Sequence, residues 1–298
     1  MQLLAFIILY PIIWFISILP FPLFYALSDV IYFFIYRVFK YRKRTVRTNL
    51  VLALPHLSDI ERKEIERKFF AHMCDMFLEM LKTMSISRKQ IDQRFKFTNI
   101  EVFQNLEKQN KSIAVMIAHY ASYEWVISLN RFTTFPSYAI YKKINNPYFD
   151  KLVRKIRLRF KANLLTTSET VPKMEENVQN DILAVYGFAS DQSPRLFAQQ
   201  YWADFMGINV PVYDGAETLA RKFDMNVIFL RTKKVKRGHY EATFEIMTEN
   251  IAADPEHSIT DRFLHLVENQ IIEAPEFYLW THKRWKHAGK NPNLQIIN

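Results

Sequence analysis

The sequence predicts an α/β protein in which helices flank a mostly parallel mixed sheet, with a hydrophobic N-terminal segment ahead of the sheet. Short apolar runs with β-branched residues, at residues 112–118 and 182–188, are typical of strands buried on both faces. Stretches with apolar residues at helical spacing lie between such runs. With 298 residues and 49% hydrophobic composition, the chain is long enough for one large α/β domain and an appendage.

The other elements follow from local patterns. Ser58 and Glu61 predict a capping box, which opens a helix that continues to Met84. Another helix is expected to begin near residues 121–123, and a segment of unassigned type starts near Gly215 and continues through Lys222. Further predicted strands cover 137–141, 163–166, 225–230 and 240–247, the last alternating like an edge or antiparallel strand, and further helices cover 148–160, 169–179 and 258–273.

Composition and missing signatures narrow the function. The formal net charge of +10 favours an anionic partner such as nucleic acid, an anionic lipid surface or an acidic substrate. A single cysteine, Cys74, excludes an intrachain disulfide and a cysteine-rich metal site. The five glycines are placed so that neither a dinucleotide-binding fingerprint nor a P-loop is possible. Neither H-E-x-x-H nor G-x-S-x-G occurs, so zincin and hydrolase-elbow chemistry lack their motifs.

The N-terminus predicts membrane attachment. Residues 3–19 are apolar and uncharged and would reach about 26 Å as a helix, against a hydrocarbon core of about 30 Å. A second apolar stretch covers 23–39, and no basic n-region or cleavage site of a signal peptide is present. Either the first segment spans the bilayer or both form a shallow hairpin in one leaflet. We therefore predict a membrane-anchoring segment at 1–44 and an α/β domain at 45–298.

Six cations lie at the end of the second apolar stretch and directly after it. Such a cluster fits the positive-inside rule and predicts that the α/β domain lies on the cytoplasmic face, although a solvated basic helix end is the alternative interpretation. Near an anionic leaflet each cation contributes about 1 kcal/mol. The six are Arg37, Lys40, Arg42, Lys43, Arg44 and Arg47.

The candidate catalytic pair lies directly after the first buried strand. His119 follows residues 112–118, and Glu124 comes five positions later, close to a predicted helix start. Open α/β sheets bind ligands at the carboxyl ends of their strands. There, His119 could take a proton from a hydroxyl while Glu124 orients the imidazole and balances its charge. The alternative is a loop histidine hydrogen-bonded to a neighbouring acid.

Two further clusters carry candidate binding residues. Asp191, Gln192 and Ser193 follow the strand at 182–188, so they can converge on His119 and position an acceptor, or else form a surface turn. A basic helix at 148–160 contains arginines whose forked guanidinium groups match phosphate oxygens, although an exposed basic face explains the row equally well. The C-terminal segment 275–286 is rich in aromatic and cationic residues, which suits either a bilayer interface or packing against the main domain.

Several of these motifs, in this order, resemble those of the bacterial lipid A biosynthesis acyltransferases, the lauroyl/myristoyl-type enzymes of the lysophospholipid acyltransferase superfamily. The similarity extends over nearly the whole chain. It rests on Arg47-Thr-Asn49-Leu50, His119-Tyr-Ala-Ser-Tyr-Glu124-Trp, Asp191-Gln192-Ser193-Pro194 and Trp280-Thr-His-Lys-Arg284-Trp285.

The resemblance implies a glycerol-3-phosphate acyltransferase-like fold and an enzyme on the cytoplasmic face of the bacterial inner membrane. Such an enzyme moves an acyl chain from an acyl carrier protein thioester to a hydroxyl of a lipid A precursor, with no metal or cofactor. The H-x4-E motif maps the base onto His119 and its supporting acid onto Glu124. The family's substrate-binding blocks resemble Tyr141-Lys142, Arg157-Leu-Arg159 and Asp191-Gln192 followed by Ser193.

Departures from the family pattern concern the acceptor. Lysine replaces arginine at Lys142, Ala121-Ser122 stands where Gly-Asn is common, and Lys161 stands where glycine is common. The alternatives are a different acceptor, such as a lysophospholipid, an amino-acid lipid or a glycolipid, a coenzyme A donor, or a non-catalytic lipid-binding scaffold. Nucleic-acid binding rests on charge alone and is not expected.

The expected mechanism is direct transfer without an acyl-enzyme, in which His119 acts as general base. Ser122 is the rival nucleophile, but no motif supports an acyl-serine. Cys74 shows no sign of activation in the sequence.

Overall fold

Within residues 2–196 and 200–292, which the computed structural model describes, the main sheet has seven strands in the order β1-β9-β8-β2-β5-β3-β4. The β8–β9 pair is antiparallel and the other neighbours are parallel, as predicted for a mostly parallel mixed sheet. A separate hairpin joins β6 and β7. The strands are β1 Phe95–Phe97, β2 Ile113–Ile117, β3 Ser137–Tyr141, β4 Ala162–Thr166, β5 Val185–Ala189, β6 Trp202–Phe205, β7 Ile208–Pro211, β8 Asn226–Lys236 and β9 His239–Thr248.

Helices cover both faces of the sheet, as the sequence predicts. The capping box of Ser58 and Glu61 is present at the start of α4. The helices are α1 Gln2–Ile18, α2 Phe21–Tyr32 with a π-helical continuation Phe33–Val38, α3 Lys43–Ala53, α4 Asp59–Lys82, α5 Arg88–Arg94, α6 Ile100–Glu107, the 3-10 helix Tyr123–Arg131, α7 Pro147–Leu158, α8 Thr167–Gln179, α9 Gly215–Lys222, α10 Ser258–Glu273 and the short 3-10 helix Pro275–Phe277.

Strand β2 is the centre of the sheet. It pairs in parallel with both β5 and β8, and its residues from Ile113 to Met116 are buried. The predicted doubly buried strand is therefore confirmed. Strand β9 is antiparallel to β8 but does not form the edge, because the three-residue β1 pairs with its outer side.

Strand β5 starts three residues later than the sequence pattern indicates. The N–H of Ile182 donates to the carbonyl of Asn177 over 2.8 Å, so residues 182–184 complete the turn after α8 before the ladder begins at Val185. Strand β8 is longer than predicted, because it continues into a long hairpin with β9.

Helices α1 and α2 pack against α4 and leave many apolar side chains exposed. The buried Lys82 amine donates to the carbonyls of Ser17 and Leu19 and thereby satisfies the end of α1. The helix over Phe21–Val38 is long and apolar enough to cross a membrane, whereas α1 is shorter. The division into units at 1–44 and 45–298 stays a prediction, and residues 1, 197–199 and 293–298 within it lie outside the described residues.

Candidate active site

The candidate active site lies at the carboxyl ends of β2 and β5. Because Ile117 is paired with Ala189 in the parallel ladder, the residues two positions further along, His119 and Asp191, reach the same level. A cavity of about 510 Å³ opens there between the sheet and the 3-10 helix Tyr123–Arg131. Two polar clusters distant in sequence therefore converge, as predicted.

His119 is held by Asp191. The imidazole Nδ1 lies 2.7 Å from Asp191 Oδ1, and the same oxygen accepts the His119 backbone N–H over 3.1 Å. A carboxylate acceptor favours the tautomer with its proton on Nδ1, which leaves the Nε2 lone pair available on the ring edge. The side chain of Asp191 is only 1% exposed, whereas His119 lines the cavity. The imidazole is thus oriented from the protein interior.

The charges of this pair support each other. Burial alone would lower the pKa of His119, but the charge and hydrogen bond of Asp191, together with the charge of Glu124, raise this pKa above its usual value. Burial alone would raise the pKa of Asp191, but the charge and hydrogen bonds of His119 hold it below its usual value. Asp191 therefore stays ionised and stabilises the imidazolium.

Glu124 occupies a different place from the expected one. Its carboxylate pairs with the guanidinium of Arg157 on α7, and no hydrogen bond joins it to His119. The orienting contact that the sequence assigns to Glu124 is made by Asp191 instead, because Glu124 lies on the first turn of the 3-10 helix and faces α7. Both Glu124 and Arg157 line the cavity, so a catalytic role of Glu124 stays a prediction.

The loop that carries His119 is tied to the C-terminal segment. The N–H of Ala121 donates to the carbonyl of Phe277 over 2.9 Å, and the N–H of Leu279 donates to the carbonyl of His119 over 3.2 Å. Ala121 has a φ of 49°, in the left-handed region that costs a non-glycine residue about 1–3 kcal/mol. The bonds to the C-terminal segment hold this strained turn and fix the backbone of His119.

The same segment also holds the loop of Asp191. The backbone N–H of Ser193 donates to His282 Nε2 over 3.0 Å. Burial lowers the pKa of His282 to about 4, so its ring is a neutral acceptor near pH 7. Asn49 on α3 donates to the carbonyls of Trp280 and His282 over 2.8 and 2.7 Å. We call residues 277–285 the strap.

The strap explains two motifs whose role the sequence left open. Trp280 is fully buried and Trp285 nearly so, which confirms packing against the main domain. Asn49 is the residue of the Arg47-Thr-Asn49-Leu50 motif that contacts the strap. Sequence reasoning missed His282, because its partner Ser193 is distant in the chain and no local pattern marks the pair.

Glu79 supports the loop from the opposite side. Its buried carboxylate accepts hydrogen bonds from Tyr240 over 2.9 Å and from Ser122 over 3.4 Å, and its carbonyl accepts the indole N–H of Trp125 over 3.2 Å. Ser122 is buried and does not line the cavity. Burial raises the pKa of the Cys74 thiol to about 12. Neither Ser122 nor Cys74 is therefore an activated nucleophile.

Burial raises the pKa of Glu79 to about 7, although hydrogen bonds from Tyr25 and Tyr240 and the charge of Lys234 act in the opposite direction. A folded-state pKa above the unfolded value means that this carboxyl stabilises the fold below pH 4.5 and that the contribution is lost as the pH rises through 7. Glutamine does not ionise, so Glu79→Gln does not undergo this loss. As the pH rises from below 4.5 to above 7, we expect the free energy of unfolding of Glu79→Gln to increase by about 3 kcal/mol relative to that of the wild type. Thermal unfolding at several pH values measures the difference, with Glu101→Gln on the exposed side of α6 as control. A pH-independent difference between Glu79→Gln and the wild type would contradict the prediction.

The predicted substrate-binding residues divide into two groups. Tyr141, Lys142, Arg157 and Gln192 line the cavity, and the hydroxyl of Tyr141 donates to Asp150 over 2.9 Å. Ser193 and Asp191 are buried and do not line the cavity: the backbone N–H of Ser193 donates to His282, and the carboxylate of Asp191 binds His119.

Arg159 does not line the cavity. Its guanidinium donates to backbone carbonyls between α4 and α5, at 2.6 Å for Thr83 and 3.2 Å for Ile86. This geometry gives Arg159 a structural role at that junction, and its assignment to phosphate binding stays an untested prediction.

The sequence is similar to known proteins over most of its length. Residues 2–287 match the family model described as bacterial lipid A biosynthesis acyltransferase. A lipid A biosynthesis acyltransferase of Haemophilus influenzae is 22% identical over 250 residues, which cover 81% of this chain and 74% of the relative. The lipid A biosynthesis lauroyltransferase and palmitoleoyltransferase of Escherichia coli are each 22% identical over 92% of this chain and 89% of their own length. The family resemblance drawn from the motifs is confirmed.

Proposed function

The chain belongs to the bacterial lipid A biosynthesis acyltransferases, and we propose that this O-acyltransferase moves a fatty acyl chain from an acyl carrier protein thioester to a hydroxyl of a lipid A precursor. The observation that carries the proposal is the hydrogen bond between His119 and the buried Asp191 at the mouth of an apolar cavity. A base, its counter-charge and a place for an acyl chain are thus adjacent.

The proposed chemistry is direct transfer. Nε2 of His119 removes the proton of the acceptor hydroxyl as its oxygen attacks the thioester carbonyl, and Asp191 balances the imidazolium. When the C–S bond breaks, the imidazolium returns the proton to the leaving thiolate, so the enzyme is regenerated. Backbone N–H groups or the cationic Lys142 and Arg157 at the cavity are candidates for stabilising the oxyanion.

The cavity suits the acyl chain. Its walls beyond the polar mouth are largely aliphatic, with Val115 and Ile117 from the sheet and Val126 and Ile127 from the 3-10 helix. Each buried methylene contributes about 0.8 kcal/mol, so a long chain gains much of its affinity there. Lys142 and Gln192 at the polar end are left to contact the acceptor's head group.

We place the enzyme at the cytoplasmic face of the inner membrane. The exposed apolar side chains of α1 and α2 support attachment, and the helix over Phe21–Val38 is a candidate span. The cations that follow it fit the positive-inside rule. Spanning and one-leaflet arrangements are both consistent with these features.

A second candidate is transfer to a different acceptor, such as a lysophospholipid, or from coenzyme A. This second candidate is favoured by Lys142 at the cavity, where the family has arginine, because lysine cannot form the bidentate hydrogen bonds that an arginine makes.

Mass spectrometry of the lipids of a deletion strain tests the proposal. We expect lipid A that lacks one acyl chain, with restoration by the wild-type gene but not by His119→Ala. Purified enzyme with acyl carrier protein and coenzyme A donors then distinguishes the two donors. Normal lipid A together with an under-acylated phospholipid would support the second candidate and overturn the first.

A further inference from the structure

We infer that Gly187, on the floor of the cavity, limits the length of the acyl chain that the enzyme transfers. This inference rests on the proposed function, because it takes the occupant of the cavity to be the donor's acyl chain. No feature of the sequence singles out Gly187, whose importance lies in its position in the sheet.

We call the floor that part of the cavity wall which is one face of three neighbouring strands; residues of α8 and α9 line the cavity elsewhere. Parallel register places Val115, Gly187 and Ala139 side by side, so their Cβ positions share a face. This row lies in the middle of the floor, and all three residues line the cavity. Two of its three side chains are a hydrogen atom and a methyl group.

The alternation within β5 creates this space. Its sequence, Val-Tyr-Gly-Phe-Ala, alternates, so Val185, Gly187 and Ala189 share the face that forms the cavity floor and the ring of Tyr186 lies on the other face. Phe188 lies on the same face as Tyr186 but also lines part of the cavity. Tyr186 does not line the cavity, and its hydroxyl accepts a hydrogen bond of 2.7 Å from Asn177 on α8. A slip of one residue in β5 would place the ring of Tyr186 on the cavity floor.

The middle row divides the cavity along the strand direction. His119 lies four residues beyond Val115, which corresponds to about 13 Å at the rise of a strand. Below Gly187, the row of Val185, Ser137 and Ala162 extends the cavity by about 7 Å. Only an acyl chain longer than the upper part of the cavity reaches this lower row.

The fold does not require glycine at this position. Gly187 does not have a positive φ, and a Cβ added there would approach nothing more closely than the carbonyl oxygen of Tyr138, at 3.8 Å. A side chain therefore fits the backbone and points into the cavity. The consequence of the missing Cβ is an open passage to the lower row, which a larger residue would obstruct.

The test compares Gly187→Ala and Gly187→Val with the wild type, using decanoyl, lauroyl, myristoyl and palmitoyl acyl carrier protein as donors. We expect the preferred chain to shorten in the order Gly, Ala, Val. For Gly187→Val, kcat/KM of the longest chain that the wild type accepts should fall by about 10–200-fold relative to the shortest, because pocket discrimination per methylene is of this order.

The matched control is Ala114→Val on β2. Ala114 is also fully buried in the sheet, but it is paired with Tyr186 and faces away from the cavity. We expect this variant to lose stability without changing the order of preferred chains.

The outcomes separate this inference from the proposed function. An unchanged chain-length order in active Gly187→Val, or a shift toward longer chains, overturns the inference and leaves the function intact. If Gly187→Val does not fold, the same criterion applies to Gly187→Ala. Absence of transfer by the wild-type enzyme from every acyl donor overturns the proposed function instead.

Discussion

Replacement of His119 by alanine is expected to lower acyl transfer by about 10²–10⁴-fold, the contribution of a positioned general base. The residue lines the cavity with one ring nitrogen fixed by Asp191, so its removal takes away the proton acceptor without opening the core. Steady-state rates with an acyl carrier protein donor measure the loss, and thermal unfolding checks that the variant is folded. Near-wild-type turnover of a folded His119→Ala enzyme would eliminate the mechanism.

The variant Asp191→Asn tests the same pair through its pH dependence. Asparagine has nearly the same size but no charge, so the pKa of His119, which Asp191 raises, should fall. Since the base must be neutral, transfer in the wild type should rise with pH through a pKa above the usual histidine value. In Asp191→Asn this acidic limb should move to lower pH while the maximal rate falls.

Two further variants test the other groups near His119, the carboxylate of Glu124 and the hydroxyl of Ser122. Glu124→Gln should move the limb in the same direction by a smaller amount, because the charge of Glu124 is the lesser contribution to the raised pKa of His119. Ser122→Ala should retain transfer, since the hydroxyl is buried against Glu79. If the wild type formed an acyl-enzyme and Ser122→Ala lost both that intermediate and activity, transfer would instead follow a covalent route. An acidic limb that stays in place in Asp191→Asn would show that Asp191 does not set the ionisation of His119.

The sequence predicts the part of the site that strand ends determine. Runs of apolar residues identify β2 and β5, and the polar residues that follow parallel strands meet at one edge of the sheet. For this reason, His119, Asp191 and Gln192 could all be named in advance. The expected convergence of these residues is what the structure shows.

What the sequence could not give is the choice of partners within the site. Glu124 and Asp191 are both carboxylates near His119, and only the geometry of the 3-10 helix turns Glu124 toward Arg157. Likewise, Arg157 lies in the last turn of α7 and Arg159 follows its end, so the two side chains point in different directions, one to the cavity and one to carbonyls of another loop. Spacing does not distinguish these alternatives, because it says nothing of the neighbouring elements.

The contact between the strap and the Asp191 loop is the clearest example of one that local patterns cannot predict. Its loss is expected to lower turnover strongly. His282 accepts the N–H of Ser193, two residues beyond Asp191, and so fixes the loop that orients His119. His282→Leu keeps a side chain of similar bulk but no acceptor. We expect turnover to fall by about 10²-fold, because a displacement of about 1 Å in a catalytic group can cost this much.

The matched variant is His282→Gln, whose side-chain carbonyl can accept the same N–H. We expect it to recover most of the turnover, although both variants lose packing of the imidazole ring. If His282 served only the stability of the fold, the two variants would lose turnover in proportion to their unfolding temperatures, and glutamine would bring no specific recovery. Equal turnover of the two folded variants would therefore contradict a positioning role, since they differ in the acceptor that holds the Asp191 loop.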